Sequence, residues 1–357
     1  MSACDDCLLR AHLVGLLAPR ITALLDRPAA RHAGLLALSD DALITATAGG
    51  RRDDARRALS SFDVAGERAR LEGLGVEAAC RHGDGFAAGL HDLPDPPAVV
   101  FSLGHAAGAE HAVTIVGARS ASPYGLEVAY ELGRGLGAAG VTVVSGLALG
   151  IDAAAHGGCL DGGGSPLAVV AGGPDVPYPR QNARLHERVQ QSGAVISEMP
   201  PGVRPYRWSF PARNRIMAAL AGLTVLVEAA EPSGSLITAE FARDLGRAVG
   251  AVPGRVTSRF AAGTNGLLRD GAIPITGAQD VLDELFGVGV RELQAAEAAP
   301  DPALQKVLEA VEAGHSLDGL ARAAELPVRE ARAALARLES QGLVRRSGLG
   351  SYERSAR

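Results

Sequence analysis

Arginine and aromatic side chains alternate in the segment RPYRWSFPARNR at residues 204–215. The segment contains four arginines together with Tyr206, Trp208 and Phe210, and no acidic residue occurs at positions 199–227. An aromatic ring on which a nucleobase stacks contributes about 1–3 kcal/mol, and arginine neutralises the phosphate backbone beside it. The composition therefore favours single-stranded nucleic-acid binding. The alternative is that the rings belong to the core and the arginines form a solvated rim.

Three glycine-containing turns each follow an apolar run and precede an amphipathic segment. They are GARSASPYG at 117–125, SGLALGIDAAAH at 145–156 and EPSGSLITAEFA at 231–242. The first amides of a helix have no intrahelical acceptor, so they can bind a phosphate oxygen when the turn directly follows a strand. This order also puts each turn at the carboxyl edge of a parallel sheet, where open α/β folds bind ligands.

Several polar residues of these turns are candidates for the site. We expect Arg119 to project at the carboxyl edge, and Ser122 to cap the next helix or bind a phosphate oxygen. Tyr124 belongs to the same turn, and Ser233 and Ser235 flank the helix start in the third turn. The alternative for the first turn is an ordinary helix cap beside an exposed arginine.

No spacing in the chain assembles a nucleophile, a base and an orienting group. Asp152 and His156 lie four residues apart, a spacing compatible with an acid/base pair, but we favour a simple hydrogen-bonded pair. Lys306 is the only lysine and no GK[ST] triplet occurs, which excludes a P-loop nucleotide site. We therefore expect no catalytic residue and no cofactor.

Cys4 and Cys7 form one CxxC motif without a second such pair. A zinc or redox site is one interpretation of this spacing, and a frayed N-terminus is the interpretation we favour. We therefore expect no metal ligands. Four cysteines in 357 residues also make a poor disulfide framework, in agreement with a reducing compartment.

The turns require a sheet to position them. Continuous apolar runs alternate with amphipathic segments that end at glycine, which is typical of parallel strands covered by helices on both faces. We predict an α/β fold with an extended Rossmann-like, mainly parallel, doubly wound sheet. A first short strand is expected at residues 98–104, and the others are expected to begin at residues 113, 141, 167, 194, 223, 248 and 272.

Composition changes along the chain divide it into four parts. We expect a helical, SAM-like domain at 1–80, the extended Rossmann-like domain at 81–289, a linker at 290–302 and a winged helix at 303–357. Arginines in the last helix and wing are suited to duplex DNA, but nearby glutamates balance them, so a protein contact or a structural role is at least as well supported. These arginines are Arg329, Arg332, Arg337, Arg345 and Arg346.

No apolar run approaches the roughly 20 residues that span a bilayer, and the start of the chain lacks the features of a signal peptide. We therefore expect a soluble, cytoplasmic protein without a membrane partner. The formal net charge of −5 means that any nucleic-acid site must be a local basic patch.

The chain resembles the DNA-processing protein A family, also called DprA or Smf, through about residues 95–275. The segments that carry the resemblance occur in family order: IVGARSASPYG, VSGLALGIDAAAH, YPRQNARL, ISEMPPG, FPARNRIMAAL, VLVEAAEPSGSLITAEFARDLGR, AVPG and GTNGLLRDGA.

The resemblance implies an extended Rossmann fold that dimerises, protects incoming single-stranded DNA and loads the RecA recombinase during natural transformation, without catalysis. The implied partners are single-stranded DNA, RecA and a second copy of the chain bound through the Rossmann-like domain. The resemblance also implies that the DNA-contacting residues are Arg119, Phe210, Arg213, Asn214 and Arg215.

The sequence departs from the family in two respects. AVVAGGPDVPYP at 168–179 occupies the place of a glycine-cysteine-glycine turn, and the lysines that many members carry around the pocket are absent. Arg180, Arg184 and Arg207 are candidates to replace them, although arginine and lysine differ in geometry. We include Arg207 among the expected DNA contacts.

Two other functions remain as alternatives. A nucleotide or nucleoside-phosphate hydrolase of the related Rossmann type would use the same turns, with Glu240 as its catalytic carboxylate. A transcription-factor-like protein would bind duplex DNA through the winged helix and sense a nucleotide on the Rossmann-like domain.

Overall fold

Most of the chain is described by the computed structural model, in the ranges 3–25, 34–105, 111–293, 302–314, 317–340, 343–346 and 352–354. By its contacts the chain divides into two compact units, the first formed by residues 1–121 and 128–292 and the second by residues 122–127 and 293–357. Most of the predicted linker and the glycine turn of the predicted wing lie outside the described residues.

Nine short strands of the first unit form a single sheet. They are β1 (Glu77–Cys80), β2 (Val99–Gly104), β3 (Ala112–Val116), β4 (Thr142–Ser145), β5 (Leu167–Val169), β6 (Ala194–Ser197), β7 (Leu223–Leu226), β8 (Ala248–Ala251) and β9 (Ile273–Pro274). Their spatial order is β1-β2-β6-β5-β4-β3-β7-β8-β9. Only the β1–β2 and β2–β6 pairs are antiparallel, so the predicted α/β fold with a mainly parallel sheet is confirmed.

Both faces of the sheet are covered, which explains why its strands are apolar without alternation. In β5, Leu167 and Val169 belong to one buried apolar cluster, whereas Ala168 between them belongs to another. Successive side chains of a strand point to opposite faces, so a strand buried on both faces needs an apolar residue at every position.

The described helices flank and precede this sheet. In the first part of the chain they are α1 (Asp5–Leu25), α2 (Asp40–Thr47), α3 (Arg52–Ser60) and α4 (Val64–Gly73). Between the strands lie α5 (Pro123–Ala138), α6 (Ile151–Asp161), α7 (Ala183–Ser192), α8 (Ser209–Leu220), α9 (Gly234–Asp244) and α10 (Ala262–Arg269), and α11 (Ala278–Phe286) follows β9.

Helix α1 corrects two expectations. It is long and apolar enough, by length and composition, to cross a membrane, although no run of that kind was predicted. Its apolar residues, such as Leu17 and Ile21, pack with Leu43 of α2 and with Trp208 in a buried cluster. Ala3 and the Cys7 side chain are buried, so the interpretation of this end as frayed is wrong for the described residues.

From residue 302 onward, the described part of the second unit contains three helices and a hairpin. They are α12 (Pro302–Glu312), α13 (Leu317–Ala323), α14 (Val328–Ser340), β10 (Val344–Arg346) and β11 (Tyr352–Arg354), with the two strands antiparallel. Val307, Leu320 and Leu335 form the centre of its apolar core. The assignment of this unit as a winged helix stays a prediction.

Candidate nucleic-acid interface

Three loops meet at the carboxyl ends of β3, β4 and β7. The amide of Ala118 donates to the Glu228 carbonyl over 2.8 Å, and the amide of Ile151 donates to the Ala118 carbonyl over 3.2 Å. A Cβ at Gly117 would lie 2.7 Å from a side-chain carbon of Ile151 and 2.8 Å from the Glu228 carbonyl oxygen, so the loops approach this closely only around glycine. β3 and β7 are neighbours in the sheet, but the chain continues from β3 to β4 in one direction across the sheet and from β7 to β8 in the other. The position between two such strands is the switch point at which open α/β sheets bind ligands.

A cavity of about 420 Å³ lies at this switch point. The loops after β3, β4 and β7, helix α8 and the start of α9 contribute to its lining. The structure thereby brings together six of the ten predicted site residues, which are Arg119, Phe210, Arg213, Asn214, Ser233 and Ser235.

The rim of the cavity combines a cation with aromatic rings. Arg119 is exposed, and its guanidinium carbon lies 5.2 Å from the centroid of the Phe210 ring. The ring of Tyr178 lies 5.5 Å from the same ring, centroid to centroid, and Tyr178 is 49% exposed. Tyr178 was not among the predicted site residues, although YPRQN was one of the segments that carried the family resemblance.

A side chain of that segment ties it to the cavity. The Asn182 Nδ2 atom donates to the carbonyls of Leu147 and Ala148 over 2.9 and 3.1 Å. Ala148 itself lines the cavity. Asn182 therefore holds the YPRQN segment against the loop that follows β4.

The floor of the cavity is built around Arg213, which is only 8% exposed. Its Nη1 donates to the Val169 carbonyl over 2.5 Å and its Nε donates to Asn214 Oδ1 over 3.0 Å. Its Nη2 lies 3.9 Å from Asp152 Oδ2. Arg213 thus connects α8 to the end of β5 and to the start of α6.

Asp152 is the buried partner of this guanidinium. Its Oδ2 accepts hydrogen bonds from the amides of Gly146 and Ala148, over 3.0 and 3.3 Å. Burial raises the pKa of Asp152, and the charge of Arg213 together with the two amides opposes that rise. A Cβ at Gly146 would collide with the Arg213 guanidinium, so glycine at this position makes room for the ion pair.

The N-terminus of α9 also lines the cavity. Ser233 caps the helix by accepting from the Ser235 amide over 3.3 Å, and the two serine hydroxyls are 2.8 Å apart. Asn214 Nδ2 donates to the Gly234 carbonyl over 3.2 Å. The buried Thr238 Oγ1 has no hydrogen-bond partner among the described residues. The positive end of the helix dipole and these hydroxyls are suited to an anion.

Comparison with known proteins agrees with this geometry. A family model described as DNA recombination-mediator protein A matches residues 77–286, a span that contains all nine strands of the sheet and the whole cavity lining. The chain belongs to this family. The resemblance drawn from the sequence is thereby confirmed.

Individual relatives of this recombination-mediator family extend the comparison. The putative DNA processing protein DprA of Mycobacterium tuberculosis is 43% identical over 256 residues, which cover 71% of this chain and 60% of the relative. Protein Smf of Synechocystis is 33% identical over 305 residues, which cover 74% of this chain and 77% of the relative. The chain therefore spans less than two thirds of the M. tuberculosis protein.

Two solved structures of the same kind superpose on the chain. DNA processing protein A of Streptococcus pneumoniae has a TM-score of 0.62 and 29% identity, and the match covers 80% of this chain and 99% of that one. The Helicobacter pylori protein, described as having a unique single-stranded DNA binding mode, has a TM-score of 0.54 and 28% identity over 59% of this chain and 95% of that one.

Within this family member, Trp208 does not lie where the sequence suggested. Trp208 is 4% exposed and its indole Nε1 donates to the Ala18 carbonyl of α1 over 3.1 Å. Tyr206 packs against the same apolar cluster. The expectation that the whole aromatic segment offers rings for stacking is wrong, and only Phe210 reaches the cavity.

The prediction of a DNA contact for Arg215 is corrected in the same way. Arg215 is 3% exposed, and its guanidinium binds Asp95 over 3.1 Å and Glu198 over 2.9 Å. Nearby acids are absent along the sequence, but Asp95 is supplied from 120 positions away. A buried guanidinium that already has two carboxylates does not bind a phosphate.

Asp152 and His156 are not the hydrogen-bonded pair that their spacing suggested. Both are buried, and neither ring nitrogen of His156 has a hydrogen-bond partner among the described residues. Burial lowers the pKa of His156 to about 4, so the imidazole is neutral at physiological pH.

Three further predicted residues do not line the cavity. Ser122 accepts a hydrogen bond from the Gly125 amide over 3.1 Å, which matches the capping role considered for it. Tyr124 is 50% exposed and Arg207 is also exposed. Their part in DNA binding stays a prediction.

Proposed function

We propose that this chain binds single-stranded DNA at the cavity without chemically changing it. The observation that carries the proposal is the convergence of the exposed Arg119, the rings of Phe210 and Tyr178, and the N-terminus of α9 at one edge of the sheet. Proteins that hold unpaired polynucleotides combine cationic grooves with aromatic platforms. The similarity to the H. pylori protein supports the same ligand.

Each group has a distinct role in this proposal. A phosphate in the cavity meets Arg119, the hydroxyls of Ser233 and Ser235, and the positive end of α9. A neighbouring base stacks on Phe210 or Tyr178. Arg213 acts as a positioning residue, because it holds Asn214 and offsets the negative charge of Asp152. Arg215 maintains the fold.

The arrangement gives little support to the hydrolase alternative. Among the described residues that line the cavity, Asp152 is the only carboxylate. Its Oδ2 atom faces Arg213 and accepts two amide hydrogen bonds, and these contacts hold the carboxylate in a structural role. Glu240, on which the alternative depends, is exposed on α9 and does not line the cavity. We therefore propose a binding protein and not an enzyme.

Family membership supports the wider role. We propose that the chain works in the cytoplasm as a homodimer formed through the Rossmann-like domain, protects incoming DNA during natural transformation and passes it to RecA. We also retain, as a proposal, the division into a helical domain, the Rossmann-like domain, a linker and a C-terminal winged helix.

An oligonucleotide titration tests the proposed groove. Arg119→Ala is expected to weaken binding of a labelled deoxythymidine oligonucleotide at least tenfold, or about 1.4 kcal/mol. It should also reduce the slope of log K against log salt by about 0.7, the value for one phosphate contact on a single strand. Phe210→Ala should weaken binding by about 1–3 kcal/mol and leave the slope unchanged, because stacking involves no counterion release.

Arg269→Ala is the matched control, since Arg269 is exposed and ends α10 just before β9, at the opposite edge of the sheet. It should bind like the parent chain. Equal affinity and equal salt slope for Arg119→Ala and the parent would reject the groove. Duplex DNA of the same length should bind more weakly than the single strand.

A further inference from the structure

Four side chains that could bind a metal ion meet far from the cavity. Cys4 and Cys7 lie at the start of α1, Cys80 ends β1, and His82 follows two residues later. One ligand atom from each of the four lies within 4.8 Å of every other. The CxxC motif alone could not indicate Cys80 and His82, because these two residues lie more than 70 positions away along the chain and have the spacing CxH.

We propose that Cys4, Cys7, Cys80 and His82 bind one zinc ion that fastens helix α1 to the edge strand of the sheet. Three thiolates and one imidazole are a usual ligand set for structural zinc, which is tetrahedral and is bound by sulfur and nitrogen. Soft thiolate ligands disfavour magnesium and calcium, which prefer oxygen.

The distances fit a tetrahedral ion. With Zn–S near 2.3 Å and Zn–N near 2.0 Å, tetrahedral geometry separates a sulfur from the nitrogen by about 3.5 Å and two sulfurs by about 3.8 Å. The His82 Nδ1 atom lies 3.5 Å from Cys4 Sγ and 3.4 Å from Cys7 Sγ. Both distances match the tetrahedral separation, and all four ligand atoms lie within 4.8 Å of one another, so small shifts of the side chains are enough to hold the ion.

The surroundings support a site that holds thiolates. The amide of Cys4 lies 3.4 Å from Cys80 Sγ and donates to it. Backbone amides that donate to a ligand sulfur stabilise its negative charge and orient it. Cys7 and Cys80 are buried, whereas Cys4 is partly exposed and His82 is exposed, so the ion can enter from solvent.

Four protein ligands complete the coordination of zinc, which distinguishes a structural site from a catalytic one with an open position. The link would join residues 76 positions apart, between the start of a helix and the end of a strand. β1 has a single strand neighbour, β2, and beneath the four ligands Leu8 and Ala78 belong to one apolar cluster. The ion would thus fix the orientation of α1 on the sheet.

Metal analysis of the full chain tests the proposal. After expression in zinc-supplemented medium and removal of any affinity tag, the protein should carry one zinc ion per chain by plasma mass spectrometry. Cobalt exchanged into the site should show the thiolate charge-transfer band and the intense visible bands of tetrahedral cobalt. Chelator should lower the Tm of the loaded protein.

Two pairs of variants separate the ligands from similar residues elsewhere. His82→Ala should weaken zinc binding by more than the roughly 10–100-fold that follows loss of an outer partner, whereas His105→Ala, also at an exposed histidine, should have no effect. Cys4→Ser combined with His82→Ala should abolish zinc binding and the cobalt spectrum. Cys159→Ala, which removes the remaining cysteine from the buried core, should leave both unchanged.

Three results would overturn the assignment. The first is a parent chain that carries far less than one zinc ion and gives no thiolate band with cobalt. The second is an intact mass that shows a disulfide among Cys4, Cys7 and Cys80 in place of a metal. The third is iron at full occupancy in protein prepared with zinc present. Because the site lies away from the cavity, each result is independent of oligonucleotide binding by Arg119 and Phe210.

Discussion

Removing the charge of Arg213 tests the cavity floor, and the expected loss in the free energy of unfolding follows from the contacts of its guanidinium. Arg213→Met keeps much of the side-chain volume and leaves Asp152 without its guanidinium and the Val169 carbonyl without its donor. Breaking a buried ion pair by removing one partner costs about 3–5 kcal/mol. We expect a loss of that size in the free energy of unfolding, or about 6–20 °C in Tm.

Urea unfolding followed by tryptophan emission measures this change. Trp208 is the only tryptophan and is buried in the first unit, so its emission reports unfolding of that unit. Arg269→Met, at an exposed arginine, should change stability by less than about 0.5 kcal/mol.

A double-mutant cycle separates the ion pair from other effects of the substitution. Asp152→Asn removes the negative charge, and in the double variant with Arg213→Met neither charge remains. The double variant should be less destabilised than the sum of the single variants by about 1–3 kcal/mol. Additive losses, or a loss below about 1 kcal/mol for Arg213→Met alone, would refute the reasoning.

The same variant should change the pH dependence of stability. Burial already raises the pKa of Asp152, and Arg213 opposes the rise, so Arg213→Met should raise this pKa further. A carboxyl group whose pKa is higher in the folded state than in the unfolded state lowers the free energy of unfolding when it is ionised and does not lower it when it is protonated. The deficit of Arg213→Met relative to the parent should therefore be largest at neutral pH and shrink as the pH falls. A deficit that grows in acid would contradict this account.

Three further predictions concern single positions. Arg215→Ala should lower the free energy of unfolding by about 3–5 kcal/mol, because it leaves Asp95 and Glu198 without their partner. Under conditions where the variant is folded, it should leave the salt slope of oligonucleotide binding unchanged. Burial lowers the pKa of His156 to about 4, so below pH 6.5 the unfolded chain binds a proton at this group before the folded chain does. The free energy of unfolding of the parent should therefore fall by about 3 kcal/mol between pH 6.5 and pH 4 because of this group. In urea titrations His156→Gln should show a correspondingly smaller fall. Gly117→Ala should lower the free energy of unfolding by about 1–3 kcal/mol by forcing the loops apart. Gly73→Ala in helix α4, where a Cβ has open space, should not destabilise the fold in the same assay and should stabilise it by up to about 1 kcal/mol.

The parallel strands were predictable because burial on both faces requires an unbroken run of apolar residues, which is visible in the local sequence. Each is a continuous apolar run followed by a turn, and the seven predicted from residue 113 onward all occur, together with β2. β1 was missed because it lies at the edge of the sheet and only alternate residues are buried. Four residues of that kind do not differ enough from a loop or a helix end.

The site was predictable only in outline. The three turns, Arg119 and Phe210 could be named because glycine, serine and arginine after a strand have few structural reasons to occur together. The sequence could not distinguish the exposed Arg119 from the buried Arg215, since neither arginine has an acidic residue close to it along the chain. Only the fold places Asp95 and Glu198 beside Arg215 and leaves Arg119 exposed.

The amino-acid sequence alone therefore determined the α/β class, the edge of the sheet at which the cavity lies, and the residue types available there. Tertiary structure decided which charges are compensated, which rings are buried, and that two cysteines near the start meet Cys80 and His82. The physical reason is that apolar periodicity and turn chemistry act between neighbours in sequence. Burial, charge pairing and metal coordination depend on neighbours in space, which here come from as far as 190 positions along the chain.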